Sequence, residues 1–396
     1  MNVSTSATPK GCDAAVVGVS MGETCGVRDH AGLLTAALAE LDVSCSLHWL
    51  SREQTSLRGA RSEVAAWARR LAAELDKERP QAILLHYSVF SYSHRGLPLF
   101  VRRLLGTLRS AEVPIVAVLH EFAYPWGLGG PSGFVWAATQ RAALVDVVRS
   151  SAALVVTTPS RIDWLESRRW LARRPMALAP VFSNLPSVPD QEPRDSRTQR
   201  RIGLFGWAYQ GAARELVLDA IGLLSAQGLD FRFVLLGAPG PDSPAAGVWR
   251  ELARERDVAE QLEFSGVLGA RELAGALAGC DVLLHPEPDG PTSRKGTLAA
   301  SLAAGTPVVA LDGPRRWNEL LAAQAAAVVS PAPAAVAEAV ASLLADERKR
   351  QELGVRGAAF AKDAMGVGRS ARVVARLLDE VRQPSSGGRS REAVGG

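Results

Sequence analysis

Short apolar runs alternate with amphipathic stretches along nearly the whole chain. Asp13–Ser20 (DAAVVGVS), Val43–Trp49, Gln81–His86 (QAILLH), Pro114–Leu119 (PIVAVL), Ala153–Thr157 and Ala177–Pro186 read as strands. Their near-continuous Val, Ile, Leu and Ala content suits strands covered on both faces, as in a parallel sheet. Between them lie helical patterns at Ala31–Leu41, Glu63–Lys77, Leu99–Ser110 and Phe134–Ser150; in the second, Val64, Trp67, Leu71 and Leu75 share one face. Residues 188–200, rich in Pro, Gln and charge, interrupt the rhythm and read as a linker.

Beyond the linker the alternation restarts. Strands are predicted at Arg201–Phe205, Phe231–Leu236, Leu262–Ser265, Asp281–His285 and Pro307–Leu311. Helices are predicted at Arg214–Gln227, Trp249–Arg256 and Arg271–Ala278, with packing helices at Pro331–Ala345, Asp346–Ala361 and Arg369–Arg382. The fold class is therefore α/β, with two doubly wound, Rossmann-like domains (residues 13–187 and 201–368) facing each other across a cleft. The terminal helix, 369–382, is placed to cross back to the first domain, and residues 1–12 and 383–396 read as flexible ends.

Bulk composition agrees with two domains. The chain has 396 residues, 47% of them hydrophobic, enough for two separate cores. A net charge of +4, partly carried by the final segment, does not indicate a nucleic-acid surface. No apolar run has the length of a membrane span, and no cationic-then-apolar leader opens the chain, so the expected location is the cytoplasm. Cys12, Cys25, Cys45 and Cys280 are scattered and read as free thiols. The six histidines are dispersed too, and no metal site or cofactor is expected.

Candidate chemistry sits in the loops that follow strands, because ligands of open parallel sheets lie beyond the carboxyl ends of their strands. The first strand leads into a glycine-bearing loop with Gly26. The third leads into Tyr87–Pro98, which carries Tyr87, Tyr92, His94 and Arg95 and serves equally as a rigid loop with buried tyrosines. The fourth ends in His120-Glu121, followed by Tyr124-Pro-Trp126 and a glycine-rich stretch. That pair suits sugar or acceptor contacts, or else simply closes a strand. Residues 161–174 carry Trp164, Trp170 and four arginines (Arg168, Arg169, Arg173 and Arg174) besides Arg161. They form either a partly buried helix with a solvated rim or a helix resting on the inner, anionic face of a membrane.

The densest candidate is Asp289-Gly-Pro-Thr-Ser-Arg-Lys-Gly-Thr297, between the strand at Asp281–His285 and a helix expected to open at Thr292 or Ser293. Two hydroxyls, two cations and a glycine in one helical first turn suit an anion such as a nucleotide diphosphate. An N-cap followed by solvated basic residues would give the same string.

Taken together, the two doubly wound halves, Gly26-Val27 in the first loop, His120-Glu121, Ser183-Asn184-Leu185-Pro186, Val267 and Ala304-Gly305-Thr-Pro-Val-Val309 resemble a GT-B-fold glycosyltransferase. The likeness is to the large family 4, the group 1 type, from about Asp13 to Arg382. It implies transfer of a sugar from a nucleotide-diphosphate sugar to an acceptor hydroxyl, retaining and metal-independent. The acceptor would be a saccharide, a lipid-linked molecule or a small metabolite. Two glutamates eight positions apart in that family fall here on Thr292 and Ala300, and the basic pair of the loop at Gly206–Gly211 is missing.

The resemblance, with these departures, places the diphosphate on Ser293, Arg294, Lys295, Gly296 and Thr297, helped by the backbone at Gly26 and Gly206. His120 is expected at the donor sugar, Asp289 as a partial stand-in for the missing carboxylates, and Val267 and Leu268 beside the base. Candidate acceptor contacts are Tyr87, His94, Arg95, Glu121, Tyr124 and Trp126. The alternatives are a catalytically degenerate GT-B protein that binds a nucleotide or a partner, and another GT-B enzyme such as a nucleotide-sugar epimerase.

Overall fold

A computed structural model of the protein describes residues 12–22, 25–171, 173–186, 199–207 and 211–383. The expected flexible ends and most of the expected linker lie outside them. The described chain divides into two compact units, Met1–Ala179 with Ser370–Gly396, and Pro180–Arg369. The division thus falls at Ala179, ahead of the expected linker, because Val181 donates its N–H to the Ser293 carbonyl of the second unit (2.8 Å).

The first unit contains β1 (Ala14–Met21), α1 (Gly26–Ala39), β2 (Cys45–Arg52), α2 (Leu57–Glu78), β3 (Ala82–Ser88) and α3 (Val101–Arg109). It continues with β4 (Ile115–Glu121), α4 (Gly130–Ser150), β5 (Ala153–Val156), α5 (Pro159–Glu166) and β6 (Met176–Leu178). The strands form one parallel sheet in the order β2-β1-β3-β4-β5-β6. The predicted stripe of α2 is its buried face: Val64, Trp67, Leu71 and Leu75 pack with Ile83, Leu85, Leu104 and Leu108. That helix starts earlier than predicted because the Ser56 hydroxyl caps it, accepting from the Gly59 N–H.

The second unit contains β7 (Arg200–Phe205), α6 (Ala212–Ala226), β8 (Phe231–Leu236), α7 (Pro244–Arg254), β9 (Leu262–Phe264) and α8 (Ala270–Ala278). Then follow β10 (Val282–His285), α9 (Gly296–Ala303), β11 (Val308–Leu311), α10 (Asn318–Ala322) and β12 (Ala327–Val329). Three helices close the chain: α11 (Pro333–Ala345), α12 (Glu347–Ala364) and α13 (Val367–Arg382). The sheet order is β12-β11-β10-β7-β8-β9, again all parallel. Numbered within the unit, that is the 3-2-1-4-5-6 order of a Rossmann sheet. From Ser370 onward α13 counts with the first unit, where Arg382 lies 3.7 Å from Asp13.

Several elements depart from expectation. The basic, tryptophan-bearing helix ends at Glu166, so residues 168–171, 173 and 174 are not helical. The third strand runs on through Tyr87 and Ser88. Helix α1 opens five residues earlier than predicted, at Gly26 itself. Among the described residues, no helix is long and apolar enough to cross a membrane.

Candidate functional site

In the second unit the strand order reverses between β7 and β10. These are neighbours in the sheet, yet β7 continues to β8 on one side and β10 to β11 on the other. The loops after them diverge and leave the crevice where doubly wound folds hold nucleotides. Two of the expected diphosphate-binding residues meet there. Gly206, at φ 70°, ends β7 so close to α9 that a Cβ would stand 2.8 Å from Thr297 Cγ2. A side chain at Gly206 would therefore be both strained and obstructed.

Helix α9 begins at Gly296, not at Thr292 or Ser293, which corrects the expected first turn. Pro291, Thr292 and Ser293 are buried ahead of it, and the Ser293 carbonyl is committed to Val181. Lys295 is the cap residue, in an extended conformation (φ −99°, ψ 108°), and no side chain caps the helix. Its first turn therefore presents backbone N–H groups of Gly296, Thr297 and Leu298 beside Gly206, the arrangement that receives an anion. The two cations flank this turn instead of lying in it. Lys295 Nζ donates to Glu287 Oε1 (2.8 Å), and Arg294 is half-buried.

Glu287 was missed by the sequence reading. Its side chain is 14% exposed, and it follows β10 by two residues. The signal was an acidic residue directly after a strand at a switch point, hidden among prolines. Asp289, the expected stand-in carboxylate, is directed elsewhere: it pairs with Arg315 (3.2 Å), and its carbonyl accepts the Arg315 N–H (2.8 Å). That loop lies against Gly313, where a Cβ would collide with the Asp289 and Gly290 backbone.

Thr292 and Ala300 are both buried, at 5% and 4% exposure. Thr292 Oγ1, His285 Nε2 and Trp317 Nε1 are buried without hydrogen-bond partners, and Trp317 donates its backbone N–H to Pro291 (2.9 Å). Burial lowers the His285 pKa to about 4, so the ring is neutral. Val267 is exposed (75%) after β9, and Leu268 is half-buried beside it.

The first unit reverses between β1 and β3. Gly26 is exposed there at the start of α1. Three histidines converge at this edge, against the expectation of dispersed ones: His30 on α1, His86 on β3 and His120 on β4. In the β3–β4 ladder His86 pairs with Val118, and the register shift between Tyr87 and Ser88 leaves His120 as the extra residue on β4. His86 Nδ1 lies 3.0 Å from His120 Nε2, and the His30 ring meets the His120 ring edge-on at 4.9 Å. His120 is therefore one of a packed group and not a lone strand-end residue. The visible signal was two predicted strands, QAILLH and PIVAVL-His120, each running out into histidine. Burial lowers the pKa of all three, to about 3 at His30, and their mutual proximity adds to the effect at His86 and His120.

The candidate acceptor residues scatter in character. Tyr87 is a core residue, 1% exposed and stacked on Tyr92 at 5.5 Å, because β3 extends through it; it offers no face to an acceptor. Glu121 pairs with Arg161 (3.1 Å), whose guanidinium also lies over Phe122. His94 forms a bridge with Leu97, and Arg95 is exposed at φ 48°. The Tyr124 N–H donates to Gln140 (2.7 Å). Trp126 is exposed (48%), near Phe134 and under Arg141. Of the 161–174 stretch, Arg168, Arg173 and Arg174 line a cavity of about 330 Å³ with Leu154, Leu165, Leu171 and Met176, and Trp170 is 61% exposed.

Two doubly wound parallel sheets in one chain, each with its own switch point, define a GT-B fold. Residues 199–346, most of the second unit and all of its candidate site, match the family described as "Glycosyl transferases group 1". The match lies wholly within the second unit. Among solved structures, the chain is similar to sucrose-phosphate synthase from Thermosynechococcus elongatus, at 15% identity and a TM-score of 0.67, covering 93% of this chain and 99% of that one. It is similar to Anabaena HepE in complex with UDP and glucose, at 13% identity and a TM-score of 0.65 over 93% and 99% of the two chains. A proposed UDP-N-acetylglucosamine 2-epimerase from Listeria monocytogenes shares the fold too, at 13% identity and a TM-score of 0.62 over 93% and 96%. At such identities these structures speak to the fold. A comparison with curated protein sequences gives no match.

Proposed function

We propose that the protein transfers a sugar from a nucleotide-diphosphate sugar to an acceptor hydroxyl, with retention and without a metal ion in the transfer step. The observation that carries this reading is the meeting of Gly206 with the uncapped start of α9 at the switch point, inside the segment that matches group 1 glycosyltransferases. The first-turn N–H groups of Gly296, Thr297 and Leu298 would hold the diphosphate. Arg294 and Lys295 would add charge, which is worth most where water is excluded. Fixed donors of this kind stabilise the leaving nucleoside diphosphate as its charge develops. Glu287 takes the place proposed for Asp289: held by Lys295, it is the carboxylate next to the helix start and the better candidate for a sugar hydroxyl.

The base would lie beside Val267 and Leu268. HepE in complex with UDP and glucose makes UDP the first nucleotide to try. His94, Arg95, Glu121, Tyr124 and Trp126 belong to the first unit, and acceptor recognition is assigned to their loops. The acceptor is a saccharide, a lipid-linked molecule or a small metabolite. The arginines around the 330 Å³ cavity, with the exposed Trp170, suit a peripheral contact with an anionic membrane from the cytoplasmic side.

A thermal-shift panel of nucleoside diphosphates tests the donor site: a ligand at 100 times its Kd stabilises by about 2.7 kcal/mol. The joint Arg294→Ala and Lys295→Ala variant should weaken the best nucleotide in calorimetry, and unchanged affinity would exclude these cations. Burial of Thr292 and Ala300 in place of the two glutamates favours a second reading, a nucleotide-binding protein without transfer. Slow hydrolysis of a nucleotide-sugar by the wild type, lost in Glu287→Gln, supports the transferase. Nucleotide binding with no turnover of any donor supports the second reading.

A further inference from the structure

The histidine cluster of the first unit has a geometry that the donor chemistry does not use. His30, His86 and His120 come from α1, β3 and β4, and one ring nitrogen of each lies within 4.8 Å of the other two. All three are buried, at 5%, 1% and 8% exposure. His86 turns Nδ1 toward His120 Nε2 (3.0 Å), while its Nε2 is enclosed without a hydrogen-bond partner. Gly18 on β1 admits the Trp49 indole, which stands edge-on to His86 at 6.2 Å and closes one side of the group.

We propose that these three imidazoles bind one divalent ion of the Zn²⁺ type, with an exchangeable water or small anion as its fourth ligand. An ion bound tetrahedrally at about 2.0–2.1 Å holds its nitrogen ligands roughly 3.3 Å apart. The 3.0 Å between His86 and His120 and the 4.8 Å limit for the group bracket that spacing, so small ring movements close the site. Three imidazoles with one open position is a ligand set that zinc takes in proteins. Among the described residues no carboxylate or thiol joins the group. Nitrogen-only coordination selects zinc, copper, nickel or cobalt over magnesium and calcium, and leaves the ion's charge uncompensated, which favours an anion as the fourth ligand. Burial holds the rings neutral, the form that ligates. Bound there, the ion ties the start of α1 to the ends of β3 and β4.

The test uses the full-length, tag-free protein, stripped with a chelator and dialysed. Titration with Co²⁺ should give one equivalent per chain and the visible d–d absorption of four-coordinate cobalt, bleached by Zn²⁺. His30→Gln and His86→Gln should each weaken binding by about 100-fold or more, beyond the 10–100-fold typical of outer-shell partners. His48→Gln should bind as the wild type, although His48 lies between Glu74 and Glu78 at 3.0 Å from each. No saturable binding, or a cobalt band that survives both cluster replacements, overturns the proposal. Circular dichroism of each variant in chelator reports its folding, and should His86→Gln not fold, His30→Gln carries the test alone.

Discussion

Acid should destabilise the first unit far more steeply than the second. In the first unit the fold keeps His30, His86 and His120 neutral, whereas the unfolded chain protonates each below its ordinary value of 6.5. The unfolded state then binds more protons, so stability is complete above that value and is lost as pH falls through it toward the depressed native values. Each such histidine contributes a slope of about 1.4 kcal/mol per pH unit once pH is well below 6.5. For His30, lowered to about 3, this amounts to about 2 kcal/mol between pH 7 and 5, and His86 and His120 shift stability in the same direction, against a total domain stability of about 5–15 kcal/mol.

Arg161 lies near His120 and adds to the resistance to protonation there. The second unit contains one such group, His285, so its slope should be shallower. Hydrogen exchange followed by mass spectrometry, corrected for the intrinsic exchange rate and run in chelator, reads both units at once. Peptides over β3 and β4 report the first, and those over β7 and β8 the second. His30→Gln should flatten the first unit's dependence by about 1.4 kcal/mol per pH unit while leaving the second unchanged. Equal slopes in the two units, or no flattening in that variant, would refute the reasoning.

Further outcomes follow from the switch-point geometry. Gly313→Ala would drive a methyl into the Asp289–Gly290 backbone; a cost of about 3 kcal/mol, at the upper end for overpacking, should appear as a lowered urea midpoint. Gly206→Val combines a left-handed backbone with a 2.8 Å approach to Thr297, and calorimetry should show nucleotide binding lost while circular dichroism stays native. Lys295→Met strands the mostly buried Glu287, so it should destabilise the second unit more than the joint Lys295→Met, Glu287→Gln replacement does; a double-mutant cycle in urea measures the difference. Trp170→Ala should reduce sedimentation with anionic vesicles and leave nucleotide binding intact.

Much of the architecture was legible in the chain. Strand-helix alternation at Asp13–Ser20, Gln81–His86, Pro114–Leu119 and Arg201–Phe205 marked two doubly wound sheets because a parallel strand is apolar on both faces and leaves a continuous run. The glycines and cations of 289–297 marked the switch point of the second sheet for a related reason, since such loops carry residues that no core requires. Boundaries were less legible. Tyr87 reads as a loop residue beside Ser88 and Ser91, yet backbone pairing with β4 carries β3 through it.

Local order also hid the working partners of each charge. Arg294 and Lys295 look like first-turn cations, but Val181, more than a hundred positions earlier, engages the Ser293 carbonyl and delays the helix to Gly296. Asp289 looked like the available carboxylate until the Gly313–Arg315 loop claimed it, and Glu287 was left to meet Lys295. The chain by itself determined the two sheets and the loop at which a diphosphate would sit, because hydrophobic period and glycine placement are local properties. Only the tertiary structure decided which side chains meet there, and that His30, His86 and His120 meet at all. Those encounters depend on strand register and on contacts between segments far apart in sequence, which no local pattern encodes.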